Sequence, residues 1–301
     1  MTEPTESEGT GAVSSGQEIT PTASKRRKIL NRLLSNKMAV FGLAVVILLL
    51  FAALFAPFVA PHDPAEQNYQ QIEESPSAEH PFGTDSFGRD VLSRVLHGAQ
   101  YAVLFGVVIV GIQMLIGVTL GLIAGYYGGI VESIIMRIVD IALSIPGVVL
   151  ALAIAGMLGG GLFPLIIAIS LVGWRGFARL VRGDVKSVME EEYIEAAKAS
   201  GAKDFYIIRH YVLPNASSSI IVYATLTIPT VVLWSAGLSF LGMGAQPPTP
   251  EWGALIADGR DRIATAWWIA TFPGLAIMFT VIGFNVLGDA LRDALDPKQS
   301  R

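Results

Sequence analysis

The sequence contains no cysteine, and this absence excludes disulfide bonds, thiol catalysis and thiolate metal sites. It has four histidines, at positions 62, 80, 97 and 210, and no two of them have the i, i+4 spacing of a helical zinc motif, which argues against a metal site. A Gly-Lys dipeptide and a Gly-x-Ser-x-Gly motif are also missing, so the chain lacks the ATP-binding Walker A loop and the nucleophile elbow of hydrolases. We therefore expect neither an enzyme activity nor a cofactor in this chain.

Charged residues are scarce as well. They make up 15% of the 301 residues, whereas soluble globular proteins carry about 25%. Hydrophobic residues make up 52%, and the mean hydropathy is +0.54. The net charge of −4 gives no sign of nucleic-acid binding. Much of the surface is therefore expected to face membrane lipid rather than water.

Six apolar segments are each long enough to cross the hydrocarbon core of a bilayer, which takes about 20 residues. The predicted spans are residues 38–60, 99–126, 135–157, 162–182, 217–241 and 267–288. Three prolines, at positions 146, 229 and 273, lie inside these spans, where neighbouring helices can satisfy the carbonyl groups that they free. The pattern predicts an all-α membrane protein with six transmembrane helices in one domain, residues 38–301.

The distribution of basic residues predicts the orientation, because cytoplasmic loops carry an excess of Lys and Arg. Of the 21 Lys and Arg residues, 17 fall on the side of the two termini and the segment 183–215. The other four lie on the opposite side: Arg89, Arg94, Arg260 and Arg262. We expect cytoplasmic termini, a cytoplasmic loop at 183–215 and an extracytoplasmic loop at 61–98. Residues 1–37 begin with a stretch rich in Ser, Thr and Glu and then become basic, which predicts a disordered tail.

A charged stretch, EAAKASGAKDFYIIRHYVLPN, interrupts the apolar pattern between the fourth and fifth spans. Glu190 to Ser200 is predicted to be a helix with acidic residues in its first turn. Gly201 suits the left-handed residue that ends such a helix. Asp204 is predicted to be the N-cap of a second short helix, which Pro214 ends. The segment is therefore expected to form a helical hairpin.

The first helix of this hairpin carries a patch of small side chains. Ala196 and Ala197 leave the helix backbone open to close approach. A loop that merely connects two spans does not need such a patch, whereas a face that another protein clasps does. We therefore expect this face to bind a partner protein rather than to be an ordinary solvated loop.

The hairpin resembles the EAA loop of ATP-binding-cassette importer permeases. That loop has the pattern Glu-Ala-Ala, three residues, Gly, nine residues and then Ile-x-Leu-Pro; Tyr211 stands here where the pattern favours Ile, at a packing position. In that family the loop forms coupling helices that seat in a groove of a cytoplasmic ATPase subunit. The resemblance implies that the ATPase-coupling residues are Glu195, Ala196, Ala197, Gly201, Leu213 and Pro214.

The resemblance covers nearly the whole chain from residue 31 onward. Further segments are similar to the dipeptide/oligopeptide permease class and to its second, C-type, membrane subunit: HPFGTDSFGRDVLSRVLHGAQ, GYYGG, LVGWRGFARLVRG, SFLGMGAQPPTPEWG and FNVLGDALRDALDP. This class implies the type I importer (MetI-like) permease fold in a prokaryotic inner membrane. It also contains importers of nickel chelates, glutathione and opines, so short peptides are the expected cargo but the class does not fix the substrate.

The resemblance also implies partners. They are a homologous second permease, two cytoplasmic ATP-binding subunits that hold ATP and Mg²⁺, and an extracytoplasmic substrate-binding protein.

Two other function classes predict different residues in the spans. An ion-coupled secondary transporter predicts paired acids deep in broken helices, and an intramembrane enzyme predicts clustered Asp, His or Glu at depth. The predicted spans contain one acid at depth, Asp140.

Residues 83–100 are predicted to form an amphipathic helix at the outer interface, capped by Thr84 or Asp85. Its apolar face contains Val91, Leu92, Val95 and Leu96, and its polar face contains Asp90, Arg94 and His97. A docking or gating surface and a packing strut remain equal alternatives for this helix.

Two further features concern charges near the inner ends of the spans. Asp140 follows Arg137 by three residues, which predicts an i, i+3 ion pair. Arg175 and Arg179 could meet substrate carboxylates, reach anionic lipid or brace the hairpin; we favour bracing.

Overall fold

The computed structural model describes residue 34 and residues 36–295; the predicted tail, residues 1–37, therefore lies almost wholly outside the described part, as do residues 296–301. Helices dominate the described residues. In chain order they are α1 Lys37–Val59, α2 Val91–Tyr127, α3 Gly129–Ser144, α4 Gly147–Met157, α5 Leu162–Met189, α6 Glu192–Ala199, α7 Asp204–Ile207, a π-helical turn Ile208–Val212, α8 Leu213–Phe240, α9 Trp252–Gly259, a 3-10 turn Arg260–Arg262 and α10 Trp268–Leu295.

Five helices of the described part are long and apolar enough to cross a membrane: α1, α2, α5, the continuous helix Asp204–Phe240 and α10. The predicted third span, residues 135–157, differs from the structure. It consists of α3 and α4, whose axes are bent by 88°, and the two make a sixth span only if they are counted as one.

The bend lies at Ile145 and Pro146. A residue before proline is disfavoured in helical conformation, and Ile145 is extended, with φ −96° and ψ 131°. Pro57, Pro229 and Pro273 nevertheless remain inside helices. Of these four prolines, only Pro146 coincides with a break in a span.

Helix α2 begins at Val91, well before the predicted span. The side chain of Asp90 caps it and accepts a hydrogen bond from the backbone N–H of Ser93 (2.7 Å). The predicted caps, Thr84 and Asp85, are wrong, because both belong to the preceding loop. The predicted amphipathic helix is thus the first part of a 37-residue helix.

The polar face predicted for that segment is not solvated. Arg94 is 1% exposed and Asp90 is 2% exposed. Arg94 donates to the carbonyl oxygen of Pro64 (3.0 Å), and Asp90 contacts His80 (3.0 Å). This face is buried because the long loop between α1 and α2 folds over it and supplies partners for its charges.

An ion-pair cluster joins this loop to α9, and we call it the outer cluster: Asp85, Arg89, Arg94 and Asp258. Arg89 is 2% exposed; its Nε lies 2.6 Å from Asp85 Oδ2 and its Nη2 lies 3.4 Å from Asp258 Oδ2. Arg94 Nε lies 3.5 Å from Asp85 Oδ2. Two buried cations are thus matched by two carboxylates from different parts of the chain.

A stripe of glycines brings α2 and α5 into close contact. Gly117, Gly121 and Gly125 lie four residues apart on one face of α2. A Cβ atom at these positions would lie 2.4, 2.7 and 3.0 Å from backbone carbonyl oxygens of α5. Such small residues let membrane helices approach closely, where apolar burial alone gives no drive for association.

Replacing Gly121 with alanine is expected to lower the free energy of unfolding by about 1–3 kcal/mol, because the added methyl group forces the two backbones apart. Gly111, on the same helix, offers a matched control, since a Cβ there would meet no atom within 4 Å. The Gly111→Ala variant should melt at or slightly above the wild-type temperature in the same detergent. Equal melting temperatures for Gly121→Ala and wild type would contradict the close packing.

Candidate functional site

The segment that follows α5 and includes the first turn of α8 forms a compact hairpin, residues 190–215. Helix α6 ends at Ala199, and Gly201 follows it with a left-handed φ of +79°, as predicted. The N–H of Gly201 donates to Lys198 O (2.9 Å) and that of Ala202 donates to Ala197 O (3.1 Å). These two bonds satisfy carbonyl groups that the helix end would otherwise leave open.

The second helix of the hairpin starts differently from the prediction. Asp204 is its first helical residue, and Lys203 occupies the N-cap position without a side-chain hydrogen bond. The carboxylate of Asp204 instead accepts a hydrogen bond from the hydroxyl group of Tyr126 (2.8 Å), at the end of α2. The predicted N-cap role was wrong because a tertiary partner uses this carboxylate.

Pro214 does not end the second helix, contrary to the prediction. The helix runs without interruption from Asp204 to Phe240 and passes through the π-helical turn Ile208–Val212 just before the proline. Proline lacks an N–H and its ring clashes with the carbonyl group four residues earlier. The wider turn accommodates both defects, so the second arm of the hairpin is continuous with α8.

The inner face of the hairpin is anchored to the long helices. Ile194, Ile207 and Val212 are fully buried. They pack in one cluster with residues of α5 and α8: Val181, Val185, Ala216 and Ile220. Full burial of a side chain of this size stabilises a fold by about 1.5–3 kcal/mol. The hairpin is therefore fixed to α5 and α8 by an apolar core rather than suspended as a loop.

The outer face of the hairpin is open. Glu195 and Ala196 are exposed, and Phe205 is 75% exposed. A shallow hollow of about 330 Å³ lies on this face, lined by Tyr193, Ala196, Ala197, Ser200, Ala202, Tyr206 and Tyr211. An open hollow lined by small residues and tyrosines, on a hairpin that also exposes Phe205, can bind a protein surface.

The predicted coupling residues are distributed over this hairpin. Ala196 and Ala197 line the hollow. Glu195 lies exposed on the same helix, and Gly201 forms the bend. Leu213 and Pro214 belong instead to the first turn of α8. The structure thus brings the Ala pair to an accessible face and places the Leu-Pro pair where the hairpin joins the long helix.

Polar contacts at the ends of α3 and α5 were missed by the sequence analysis. Glu132 lies 2.7 Å from Arg182 Nε and 3.1 Å from Lys186 Nζ, measured from its Oε1. Glu132 falls between two predicted spans, and no pattern along the sequence links it to α5. Its charge ties the start of α3 to the end of α5, next to the hairpin.

Two predictions about charges near this region were wrong. Asp140 pairs with Arg179 of α5 and not with Arg137. Arg175 and Arg179 do not brace the hairpin. Arg175 donates to the carbonyl oxygens of Ala142 and Ile145 at the end of α3, and therefore holds the bend between α3 and α4.

Two family models match the chain. One, described as the binding-protein-dependent transport system inner membrane component, matches residues 117–301. The other, described as the N-terminal TM domain of oligopeptide transport permease C, matches residues 24–76. The first model alone covers more than half of the chain.

Individual proteins give the same result. The dipeptide transport system permease protein DppC of Alkalihalophilus pseudofirmus is 47% identical over 272 residues, which cover 90% of each chain. The glutathione transport system permease protein GsiD of Pectobacterium atrosepticum is 42% identical over 273 residues, covering 90% of this chain and 91% of that protein. A solved structure of the MetNI methionine ABC transporter in an inward-facing conformation covers 68% of this chain and 98% of that chain, with a TM-score of 0.52 and 21% identity.

The similarity to MetNI shows the fold, and the predicted MetI-like permease fold is confirmed. The family models and the curated relatives confirm the predicted resemblance. The chain belongs to the family of binding-protein-dependent transport system inner membrane components, the integral membrane permease subunits of ABC importers, in which separate ATPase subunits hydrolyse ATP.

Proposed function

We propose that this chain is the permease subunit of an ABC importer that carries dipeptides. The observation that supports this most strongly is the 47% identity to a dipeptide permease over 90% of both chains. The same length of chain is 42% identical to a glutathione permease. Glutathione, itself a short peptide, is therefore the second candidate substrate.

The hairpin at residues 190–215 is the proposed contact with an ATPase subunit. Its inner face is buried against α5 and α8, while Glu195, Ala196 and Phe205 remain exposed. A partner that moves the outer face must move the long helices with it, since the buried core joins them. ATP and Mg²⁺ are bound by the partner subunits in this proposal, and closure of those subunits changes access to the pathway.

A second, homologous permease is the proposed partner within the membrane. Helix α3 buries one residue, Val139, and exposes Ile130, Ile134, Ile138 and Ile141. An open hollow of about 580 Å³ lies along this helix, lined by Gly129, Ile130, Ser133, Ile134, Arg137 and Ile138. A membrane helix with so little buried surface within its own subunit supports a further chain, or the substrate pathway, on this side.

The excess of Lys and Arg around the hairpin supports a cytoplasmic position for it. The connection between α1 and α2 then faces the other side, together with α9. An extracytoplasmic binding protein would deliver the substrate there. Two cytoplasmic ATPase subunits and two permeases complete the proposed assembly.

Transport by the reconstituted complex tests this function. We expect proteoliposomes that contain the complex, its binding protein and internal ATP to accumulate a radiolabelled dipeptide. Uptake should stop when ATP is replaced by a non-hydrolysable analogue. Excess unlabelled dipeptide should compete more strongly than glutathione. Accumulation of glutathione without dipeptide would favour the second substrate, and uptake driven by an ion gradient without ATP would contradict the importer class.

A further inference from the structure

Three side chains in the connection between α1 and α2 form a cluster outside the outer cluster and the hairpin: His62, His80 and Asp90. One ligand-capable atom of each lies within 4.8 Å of those of the other two. His80 is 5% exposed and Asp90 is 2% exposed, while His62 is half-buried. The two imidazole rings are 4.6 Å apart between centroids. Two imidazoles and a carboxylate thus converge on one largely buried point.

The surrounding contacts of the described residues engage Asp90 Oδ2 and His62 Nε2, and leave the other oxygen of Asp90 and the other nitrogen of His62 for a ligand role. Asp90 Oδ2 accepts hydrogen bonds from the Ser93 N–H (2.7 Å) and hydroxyl group (2.6 Å), so Oδ1 is the oxygen that faces His80. His62 Nε2 lies 3.1 Å from the carbonyl oxygen of Glu79, to which it can donate. The other nitrogen of a neutral His62 then carries a lone pair. A second hydrogen bond of this kind is what orients histidine ligands in metal sites.

We propose that His62, His80 and Asp90 bind a single zinc ion. Imidazole nitrogen and carboxylate oxygen are ligands that zinc accepts at about 2.0–2.2 Å, and three protein ligands leave the fourth tetrahedral position for water. The 3.0 Å between His80 Nδ1 and Asp90 Oδ1 is a hydrogen-bond distance, close to the roughly 3.3 Å that separates two ligands of a tetrahedral zinc ion. Mg²⁺ and Ca²⁺ prefer ligand sets made of oxygen atoms alone, which makes them poorer occupants.

The protons balance when the metal binds. Without metal, a neutral His80 donates its Nδ1 proton to Asp90 Oδ1. Zinc takes the place of that proton, which can move to Nε2, 3.4 Å from the side-chain oxygen of Gln71. Both histidines stay neutral and Asp90 stays ionised, so the ion adds charge to a site that already holds one carboxylate.

The ion would fasten the connection at both ends. His62 follows closely after the end of α1, Asp90 is the N-cap of α2, and His80 lies between them. A ligand that binds only the folded state stabilises it by RT ln(1 + [L]/Kd), where [L] is the free ligand concentration. Zinc would therefore hold the outer connection in the conformation that also carries the outer cluster.

Metal binding by the full-length protein, purified in its complex and without a polyhistidine tag, tests this proposal. After treatment with a chelator, we expect titration with ZnCl₂ to show one tight site per chain by mass spectrometry of bound metal. Co²⁺ in place of zinc should give the visible absorption of tetrahedral coordination. The variants His62→Gln and Asp90→Asn should each weaken zinc binding at least tenfold. Asn at position 90 keeps the ability to cap α2, so it separates metal binding from folding.

His97→Gln is the matched control, because His97 lies on α2 close to Asp90 but outside the cluster. It should bind zinc as the wild type does. A wild-type protein that retains no stoichiometric zinc would overturn the proposal, as would equal affinity in wild type and His62→Gln. If Asp90→Asn fails to fold, the comparison of His62→Gln with His97→Gln still decides, since His62 is half-buried and has no capping role.

Discussion

The Arg89→Ala variant is expected to lose about 3–5 kcal/mol of unfolding free energy, because removing one partner of a buried ion pair leaves the remaining charges uncompensated. Arg89 is 2% exposed and touches both carboxylates of the outer cluster that come from different segments, Asp85 and Asp258. Without it, Arg94 remains as the cation for two acids, at 3.5 Å from Asp85. Thermal unfolding of the purified protein in detergent measures the loss.

Arg260→Ala is the control for the Arg89 experiment. Arg260 pairs with Asp261 in a contact whose side chains are 59% and 76% exposed. An exposed pair of this kind contributes about 0–1 kcal/mol. The Arg260 variant should melt close to wild type; similar losses in the two variants would contradict the assignment of the stability to the buried cluster.

The loss in Arg89→Ala should depend on pH. Burial raises the pKa of Asp258, and Arg89 opposes that rise. Removing Arg89 therefore raises this pKa further. An acid whose pKa is higher in the folded than in the unfolded protein makes the folded state more stable as the pH falls toward that pKa. The difference between Arg89→Ala and wild type should shrink when unfolding is measured at pH 5 instead of pH 7.

Gly201→Pro is expected to separate the ATPase from the permease while the permease still inserts. Gly201 has φ +79° and its N–H donates to Lys198 O. Proline fixes φ near −65° and has no N–H, so it cannot occupy this bend. Helix α6 would lose its orientation relative to α7, and with it the proposed docking face. Gly201→Ala keeps the N–H and costs roughly 1–2 kcal/mol in the left-handed conformation, so its effect should be intermediate.

Co-purification of ATPase and stimulated ATP hydrolysis measure this effect. Gly183→Ala is a suitable control, since Gly183 lies in α5 with no atom within 4 Å of an added Cβ. It should retain the ATPase at the wild-type ratio. Full retention and normal stimulation in Gly201→Pro would contradict the coupling role of the hairpin.

Much of the fold could be predicted from the sequence, because a chain that crosses lipid must satisfy its backbone hydrogen bonds internally. Long apolar runs become helices, and α1, α2, α5 and α10 follow from that pattern. The bend at Gly201 was also predictable, since a glycine after an alanine-rich helix fits the left-handed position. The Glu-Ala-Ala segment was found by resemblance, whereas its separation into a buried and an open face required the structure.

Other features depend on contacts that no local pattern contains. Arg137 and Asp140 have the spacing of a helical ion pair, yet Arg179 of α5 takes the carboxylate. Burial of Arg94 depends on the loop that covers it, including the carbonyl of Pro64. Spacing along a helix identifies possible neighbours within that helix only, and packing between helices decides which of them are used.

The effect of each proline inside a span also depends on contacts between helices. Pro146 breaks a span, while Pro229 and Pro273 do not. At the break, Arg175 donates hydrogen bonds to carbonyl oxygens at the end of α3. A Cβ atom at Gly147 would lie 2.4 Å from the ring of Trp234. The guanidinium group of Arg175 satisfies the carbonyl groups that the break leaves without helical partners, and the missing side chain of Gly147 leaves room for Trp234. Neither feature can be inferred from the presence of Pro146.

Two of the helices, α2 and Asp204–Phe240, have 37 residues each, which corresponds to about 55 Å at 1.5 Å per residue. Tyr126 and Asp204 join them at one end (2.8 Å). At the other end α9 bridges them, since Trp252 donates to Val95 O of α2 (2.9 Å) and Gly253 packs against Ala236. Because these contacts join the two helices near both ends, we expect a displacement of Asp204–Phe240 at the hairpin to displace α2 and α9 as well.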